Sequence, residues 1–175
     1  WNSVLRMGTF PAANVVLPSA ATPGTESRVA LPEFLETGLA LNVPARPRMP
    51  VFYQEVRRSP EEPATWVPLH ATSLPHAFES EPNDDPDETA TIAAIPTTLN
   101  GVLDSPTDRD CFAFSMTRGQ TVNITAETRE IGSPADLELV LFGPDGREVR
   151  RLDDASYVHK KVTVPIEART IFAAG

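Results

Sequence analysis

Apolar and polar residues alternate with a period of two along much of the second half of the chain. In the segment "DCFAFSM", Phe112, Phe114 and Met116 fall on one face of an extended strand. The segments "TVNITAE" and "KKVTVPI" repeat this pattern. Because such a period is typical of strands that bury one face, each of the three segments is predicted to be a β-strand. After "KKVTVPI" we expect only a short further piece of strand.

The segment "DLELVLFGPDGREV" has the pattern of a β-hairpin. Leu137, Leu139 and Leu141 share a face, and "GPDG" follows them. Proline presets the backbone for a turn, and glycine accepts a left-handed conformation. We therefore expect two antiparallel strands on either side of this turn.

The first part of the chain is interrupted by proline every few residues. Short strands are predicted at residues 39–43, 51–56 and 66–69, each beside a proline. Residues 1–76 are interpreted as a β-rich, proline-rich region, either a small β-domain or the end of a preceding domain. Together with the second half, this predicts an all-β protein whose main part is an antiparallel β-sandwich.

Charge and composition exclude some classes of partner. The net charge of −9 argues against nucleic acid, since phosphate binding requires clustered Lys and Arg. No apolar run is long enough for a membrane-spanning helix. The three histidines are scattered, and neither "GxSxG" nor "HExxH" occurs, so we do not expect an enzyme.

The segment "ESEPNDDPDE" places six carboxylates within ten residues. In an extended chain Glu79, Glu81 and Asn83 would lie on one side, about 7 Å between successive members. The turn-prone pair Asn83-Asp84 could then bend the chain around a centre. Calcium takes about six to eight oxygen ligands in flexible geometry, and these side chains supply suitable oxygens. The alternative is a solvated acidic linker between two folded parts, and the composition alone favours it.

An ordered series of motifs in the second half resembles the bacterial pre-peptidase C-terminal domain family, which includes collagenase collagen-binding domains. The resemblance covers residues 77–154. Its motifs, in order, are "EPNDDPDETA", "LNGVLDSPTDRDCFAF", "RGQTVNITAE" and "GSPADLELVLFGPDGREV", followed by the acidic pair Asp153-Asp154. Cys111 departs from the family pattern, which has an aromatic residue there, and the family's closing strands are hard to find after Asp154.

The resemblance implies a jelly-roll-like β-sandwich, here assigned to residues 77–175, whose C-terminal end is either incomplete or has diverged from the family pattern. It also implies a calcium site at the entrance of that domain. The predicted metal ligands are Glu79, Glu81, Asn83 and Asp84, which match the family's calcium segment, and Asp108 and Asp110, which match less closely.

The resemblance further implies a secreted, periplasmic or cell-surface location. We expect a non-catalytic accessory or structural module of an exported bacterial protein, with other domains or subunits of that protein as partners. One alternative is an adhesive module that binds an extracellular protein or polysaccharide polymer. It would require exposed aromatic residues, and Phe52, Tyr53 and Trp66 could form either such a strip or a core. A subunit of a cell-surface assembly is the other alternative.

Overall fold

The computed structural model describes residues 13–31, 36–57, 59–87, 89, 92, 94–152, 157–163 and 168–174. In these residues the regular structure is almost entirely β, with several antiparallel sheets, and the all-β prediction is confirmed. The chain divides into two compact units, Trp1–Ser73 and Leu74–Gly175. Each unit has its own buried apolar cluster.

Five strands of the first unit lie within the described residues. They are β1 (Ala20–Ala21), β2 (Glu26–Leu31), β3 (Glu36–Asn42), β4 (Val51–Val56) and β5 (Thr65–Ala71). Strands β2 and β3 form an antiparallel pair, and β5 lies between β1, which is parallel to it, and β4, which is antiparallel. The predicted strand at 51–56 is confirmed at both ends, and the other two predicted strands are each longer than the apolar run that indicated them.

Side chains from both of these sheets form the core of the first unit. Val29 and Leu31 come from β2, and Val67 and Leu69 come from β5. All four are almost completely buried. The proline-rich sequence therefore encloses an apolar core, although few of its segments show a regular alternation.

The other eight strands among the described residues belong to the second unit. They are β6 (His76–Phe78), β7 (Thr98–Asn100), β8 (Asp110–Met116), β9 (Thr121–Glu127), β10 (Leu139–Phe142), β11 (Glu148–Leu152), β12 (Tyr157–Thr163) and β13 (Ala168–Ala174). One sheet has the order β11-β10-β13-β8, while β9 pairs with β12 and β6 with β7. The β6–β7 pair is parallel, and all other pairs of this unit are antiparallel.

The period-two pattern correctly identified the face that β8 buries. Phe112, Phe114 and Met116 join Leu139 and Leu141 of β10 in one apolar cluster. Residues of β9 pack against this cluster, as their alternation predicted. The opposite face of β8 carries small side chains, which pack against Phe142.

The predicted hairpin is present as β10 and β11. Its turn is closed by the Gly143 N–H, which donates to the Arg147 carbonyl at 2.8 Å, and Gly146 has a φ of 71°.

The C-terminal region was predicted wrongly, because it contributes two seven-residue strands rather than one strand and a short piece. Strand β13 lies between β10 and β8, and its sequence "ARTIFAA" does not alternate regularly. Strands in the middle of a sheet need not alternate, so the pattern gave no signal.

We expect Leu139→Ala to reduce the free energy of unfolding by about 2–5 kcal/mol, because it leaves a cavity in the core of the second unit. Leu139 is 2% exposed. Chemical denaturation followed by circular dichroism would measure the loss. Leu74→Ala is the control, since Leu74 is 37% exposed and its truncation should cost far less. Equal losses in the two variants would contradict this description of the core.

Candidate metal site

Glu79 follows directly after β6, and its backbone continues the pairing with β7. Its N–H donates to the Asn100 carbonyl at 3.1 Å. Its side chain then turns back toward the same segment, where Oε1 accepts the Val102 N–H at 2.7 Å. These two hydrogen bonds hold the Glu79 carboxylate beside Gly101.

Asp110 approaches the same place from a different part of the chain. It is the first residue of β8 and is only 5% exposed. Its Oδ1 atom is buried and has no hydrogen-bond partner in the structure, and the same holds for Oε2 of Glu79. Buried carboxylate oxygens are normally hydrogen-bonded or bound to a cation, so two such atoms in one place require either a proton on one of the carboxyls or a cation.

Three carboxylates converge at this point. One carboxylate oxygen from each of Glu79, Glu81 and Asp110 lies within 4.8 Å of the corresponding oxygens of the other two. Glu81 is exposed, Glu79 is partly buried and Asp110 is buried, so the group extends from the surface inward. We refer to these three residues as the carboxylate group.

Gly101 provides the space in which the carboxylate group meets. A Cβ atom at this position would lie 2.3 Å from Asp110 Oδ2 and 2.7 Å from Glu79 Oε2. No side chain fits at those distances, so only glycine is compatible with the observed positions of the two carboxylates.

The close approach of these groups changes their protonation. Burial raises the pKa of Asp110 to about 8, and the neighbouring Glu79 carboxylate adds to the effect. Burial also raises the pKa of Glu79. Both shifts have the direction expected when like charges are brought together out of water.

Three of the six predicted ligands lie outside the carboxylate group and make other contacts. The Asn83 N–H donates to Glu81 Oε2 at 3.0 Å, and its buried amide lies against the same carboxylate. Asp84 Oδ1 accepts the Arg109 N–H at 3.0 Å. The buried Asp108 carboxylate accepts the Asp104 N–H. These three residues therefore hold the backbone around the group.

The described part of the acidic stretch does not have the contacts of a free linker. Asn83 is 3% exposed, and its carbonyl accepts the Cys111 N–H at 3.1 Å. Thr89 is also buried, and its hydroxyl donates to the Cys111 carbonyl. The remaining carboxylates described here, at Asp84, Asp85 and Asp87, are exposed. The stretch thus lies against β8 while the side chains of Asp84, Asp85 and Asp87 face solvent.

The carboxylate group suits a hard divalent cation. Among the described residues it offers only carboxylate oxygens, whereas zinc and copper favour imidazole or thiolate ligands. Its two buried oxygens without hydrogen-bond partners suit a positive charge at this position. Calcium tolerates irregular geometry and would be held by Glu79, Glu81 and Asp110, with water supplying further oxygens.

Two contributors to the site were not identified as such from the sequence. Gly101 provides the space, and the backbone N–H of Val102 orients Glu79. The family resemblance includes a glycine followed by a hydrophobic residue at this position. That signal was present, but the reason for it is visible only once Glu79 and Asp110 are seen on either side of Gly101.

The chain matches no family model, and no curated protein is significantly similar to it. Within the part of the chain that the structure describes, no helix has the length and hydropathy needed to cross a bilayer. The function is therefore inferred from the carboxylate group and its surroundings.

Without divalent cations, we expect the second unit to lose stability as the pH rises from about 4 to about 8. Asp110 keeps its proton in the folded state up to a pKa of about 8, whereas the unfolded chain loses it near 3.8. The folded state thus binds more protons in this range, and its free energy of unfolding falls with increasing pH. Denaturation in EDTA at several pH values would measure the slope.

Asp110→Asn should flatten this dependence, because the amide cannot ionise. Asp136→Asn removes an exposed carboxylate elsewhere in the same unit and should leave the slope unchanged. If the two variants had the same slope, Asp110 would not be the group responsible.

Proposed function

We propose that this protein is a non-catalytic accessory module of an exported bacterial protein, and that its second unit is stabilised by calcium bound to Glu79, Glu81 and Asp110. The observation that carries the proposal is the pair of buried carboxylate oxygens without partners, one on Glu79 and one on Asp110. A cation between them would satisfy both atoms and offset the repulsion between the two carboxylates.

The position of the ligands supports a structural role for the ion. Glu79 and Glu81 precede β8 in the chain, whereas Asp110 begins that strand. An ion bound by all three would link the entrance of the second unit to one of the strands that build its core. Because the unfolded chain does not hold these residues together, the ion would bind the folded state preferentially and stabilise it.

The export and location of the protein rest on the family resemblance and on the availability of calcium. Calcium sites of extracellular modules are weak, with dissociation constants of about 0.1–1 mM, and are filled only where calcium is abundant. A module of this kind would be fully stable only after it leaves the cell. That consequence supports a secreted, periplasmic or cell-surface location, with other parts of the same exported protein as partners.

Calcium at about 1 mM should raise the melting temperature of the protein by several degrees relative to EDTA. If the dissociation constant is about 0.1 mM, the added free energy of unfolding is about 1.4 kcal/mol. Magnesium at the same concentration should have a smaller effect, because it requires near-ideal octahedral geometry. Thermal denaturation with each ion would measure both shifts.

Glu81→Gln should remove most of the calcium-dependent increase. Glu81 is exposed, so the substitution should have little direct effect on packing. Asp87→Asn is the matched control, since it removes one exposed negative charge of the same stretch outside the carboxylate group. An equal calcium response in wild type and Glu81→Gln would count against the proposed ligands, and no response in wild type would count against the calcium site.

A specific observation also favours the adhesive alternative, in the first unit. Tyr53 lies opposite Pro68 in the β4–β5 pair, and Trp66 lies opposite Glu55, so both aromatic side chains project from one face. Tyr53 is 67% exposed and Trp66 is 51% exposed. Phe52, on the other face, packs against the core. Exposed aromatic residues on a rigid sheet are suited to binding a polymer surface.

If this face is adhesive, the double variant Tyr53→Ala/Trp66→Ala should bind an insoluble polymer about tenfold more weakly or worse. Cosedimentation with cellulose, chitin and fibrillar collagen would measure the affinity. Met49→Ala is the control, because Met49 is equally exposed but lies outside the β4–β5 pair. Absence of wild-type binding, or equal binding by the double variant, would exclude adhesion to these polymers through this face.

A further inference from the structure

Strand β8 is at the edge of its sheet. The sheet order is β11-β10-β13-β8, so β13 pairs with one side of β8, and among the described residues no strand of this sheet lies on the other side. An uncovered strand edge presents unpaired N–H and C=O groups, which can pair with another chain. The contacts along this edge therefore affect whether another chain can pair with β8.

The acidic stretch and the residues after it cover this edge. We call residues 83–87, Thr89 and Ile92 the cover segment. The Arg109 N–H donates to the Asp84 carboxylate at 3.0 Å, and the Cys111 N–H donates to the Asn83 carbonyl at 3.1 Å.

The cover segment also donates hydrogen bonds to β8. The Thr89 hydroxyl donates to the Cys111 carbonyl at 3.2 Å, and the Ile92 N–H donates to the Ala113 carbonyl at 2.6 Å. Cys111 and Ala113 are two residues apart, so their backbone groups point to the same side of the strand. Four outward backbone groups between Arg109 and Ala113, two N–H and two C=O, thus have partners in the cover segment.

The carboxylate group lies where the cover segment meets β8. Asp110 belongs to β8 and lies between Arg109 and Cys111, the two residues whose N–H groups are covered. Glu81 is two residues before the cover segment begins at Asn83, and its carboxylate accepts the Asn83 N–H. A cation bound by both Glu81 and Asp110 would therefore join the start of the cover segment to the start of the strand.

We propose that the cation controls the cover segment, and that its release exposes the edge of β8 between Arg109 and Ala113. This inference rests on the proposed calcium site and adds a regulatory role to it. Without the ion, no cation joins Glu81 to Asp110 at the point where the cover segment is attached, and the three carboxylates either repel one another or take up a proton. The negative charges of Asp84, Asp85 and Asp87 keep other strands away from the edge only while the segment remains in place.

Amide hydrogen exchange of the full chain, measured by NMR in calcium and in EDTA at the same pH, tests this proposal. The N–H of Cys111 faces the cover segment, whereas the alternating pattern directs the N–H groups of Phe112 and Phe114 toward β13. We expect calcium to slow exchange at Cys111 by about tenfold more than at Phe112 and Phe114. The two inward amides are internal controls for a general gain in stability.

The possible results separate this inference from the calcium proposal. A larger slowing at Cys111 supports the cover mechanism. If calcium binds in a titration but slows all three amides equally, or leaves Cys111 unchanged, the cover mechanism is wrong and the calcium site stands. If calcium does not bind, both proposals are overturned.

Thr89→Val provides a second test that leaves the carboxylate group intact. The substitution removes the hydroxyl that donates to the Cys111 carbonyl while keeping the shape of the side chain. We expect faster exchange at Cys111 even in calcium, with calcium affinity within about threefold of wild type. Unchanged exchange at Cys111 in this variant would show that Thr89 does not fasten the cover segment, contrary to the proposal.

Discussion

The second unit depends on the burial of the Asp110 carboxylate beside that of Glu79. Two carboxylates removed from water repel each other and lose hydration, so this arrangement must be offset by a proton or a cation. It also constrains its neighbours. Gly101 must lack a side chain, the Val102 N–H must point at Glu79, and the loop before β8 must return Asp110 to this place. The contact between these two carboxylates therefore constrains the residues around the site.

Strand β8 connects the carboxylate group to the rest of the second unit. Its first residue is Asp110, and its aromatic side chains, Phe112 and Phe114, lie in the apolar cluster. Its outer edge is hydrogen-bonded to the cover segment. A change in the charge of the carboxylate group therefore acts on a strand that is already fixed on one face and on one edge. Through strand β8, ion binding at the carboxylate group would therefore affect the stability of the whole unit, although the group lies near the surface.

The sequence pattern predicted strands well where one face is buried and the other is solvated or lined with small residues. Strands β8 and β9 have this arrangement, and their alternation identified both the strand and its buried face. The pattern failed for β13, which lies between two other strands, and for short strands such as β6 and β7. Such strands are formed by partners that are distant in the sequence, and local alternation contains no information about them.

The sequence by itself determined the all-β class and the oxygen-rich chemistry of the acidic stretch. Both follow from residue type and spacing, which are local properties. Only the tertiary structure decided which carboxylates meet, because Asp110 reaches Glu79 through the pairing of β8 and the loop that precedes it. It also decided that Asn83, Asp84 and Asp108 hold backbone groups around the site. Their side chains are suited to binding a cation, but the fold determines which groups come within hydrogen-bonding distance of them.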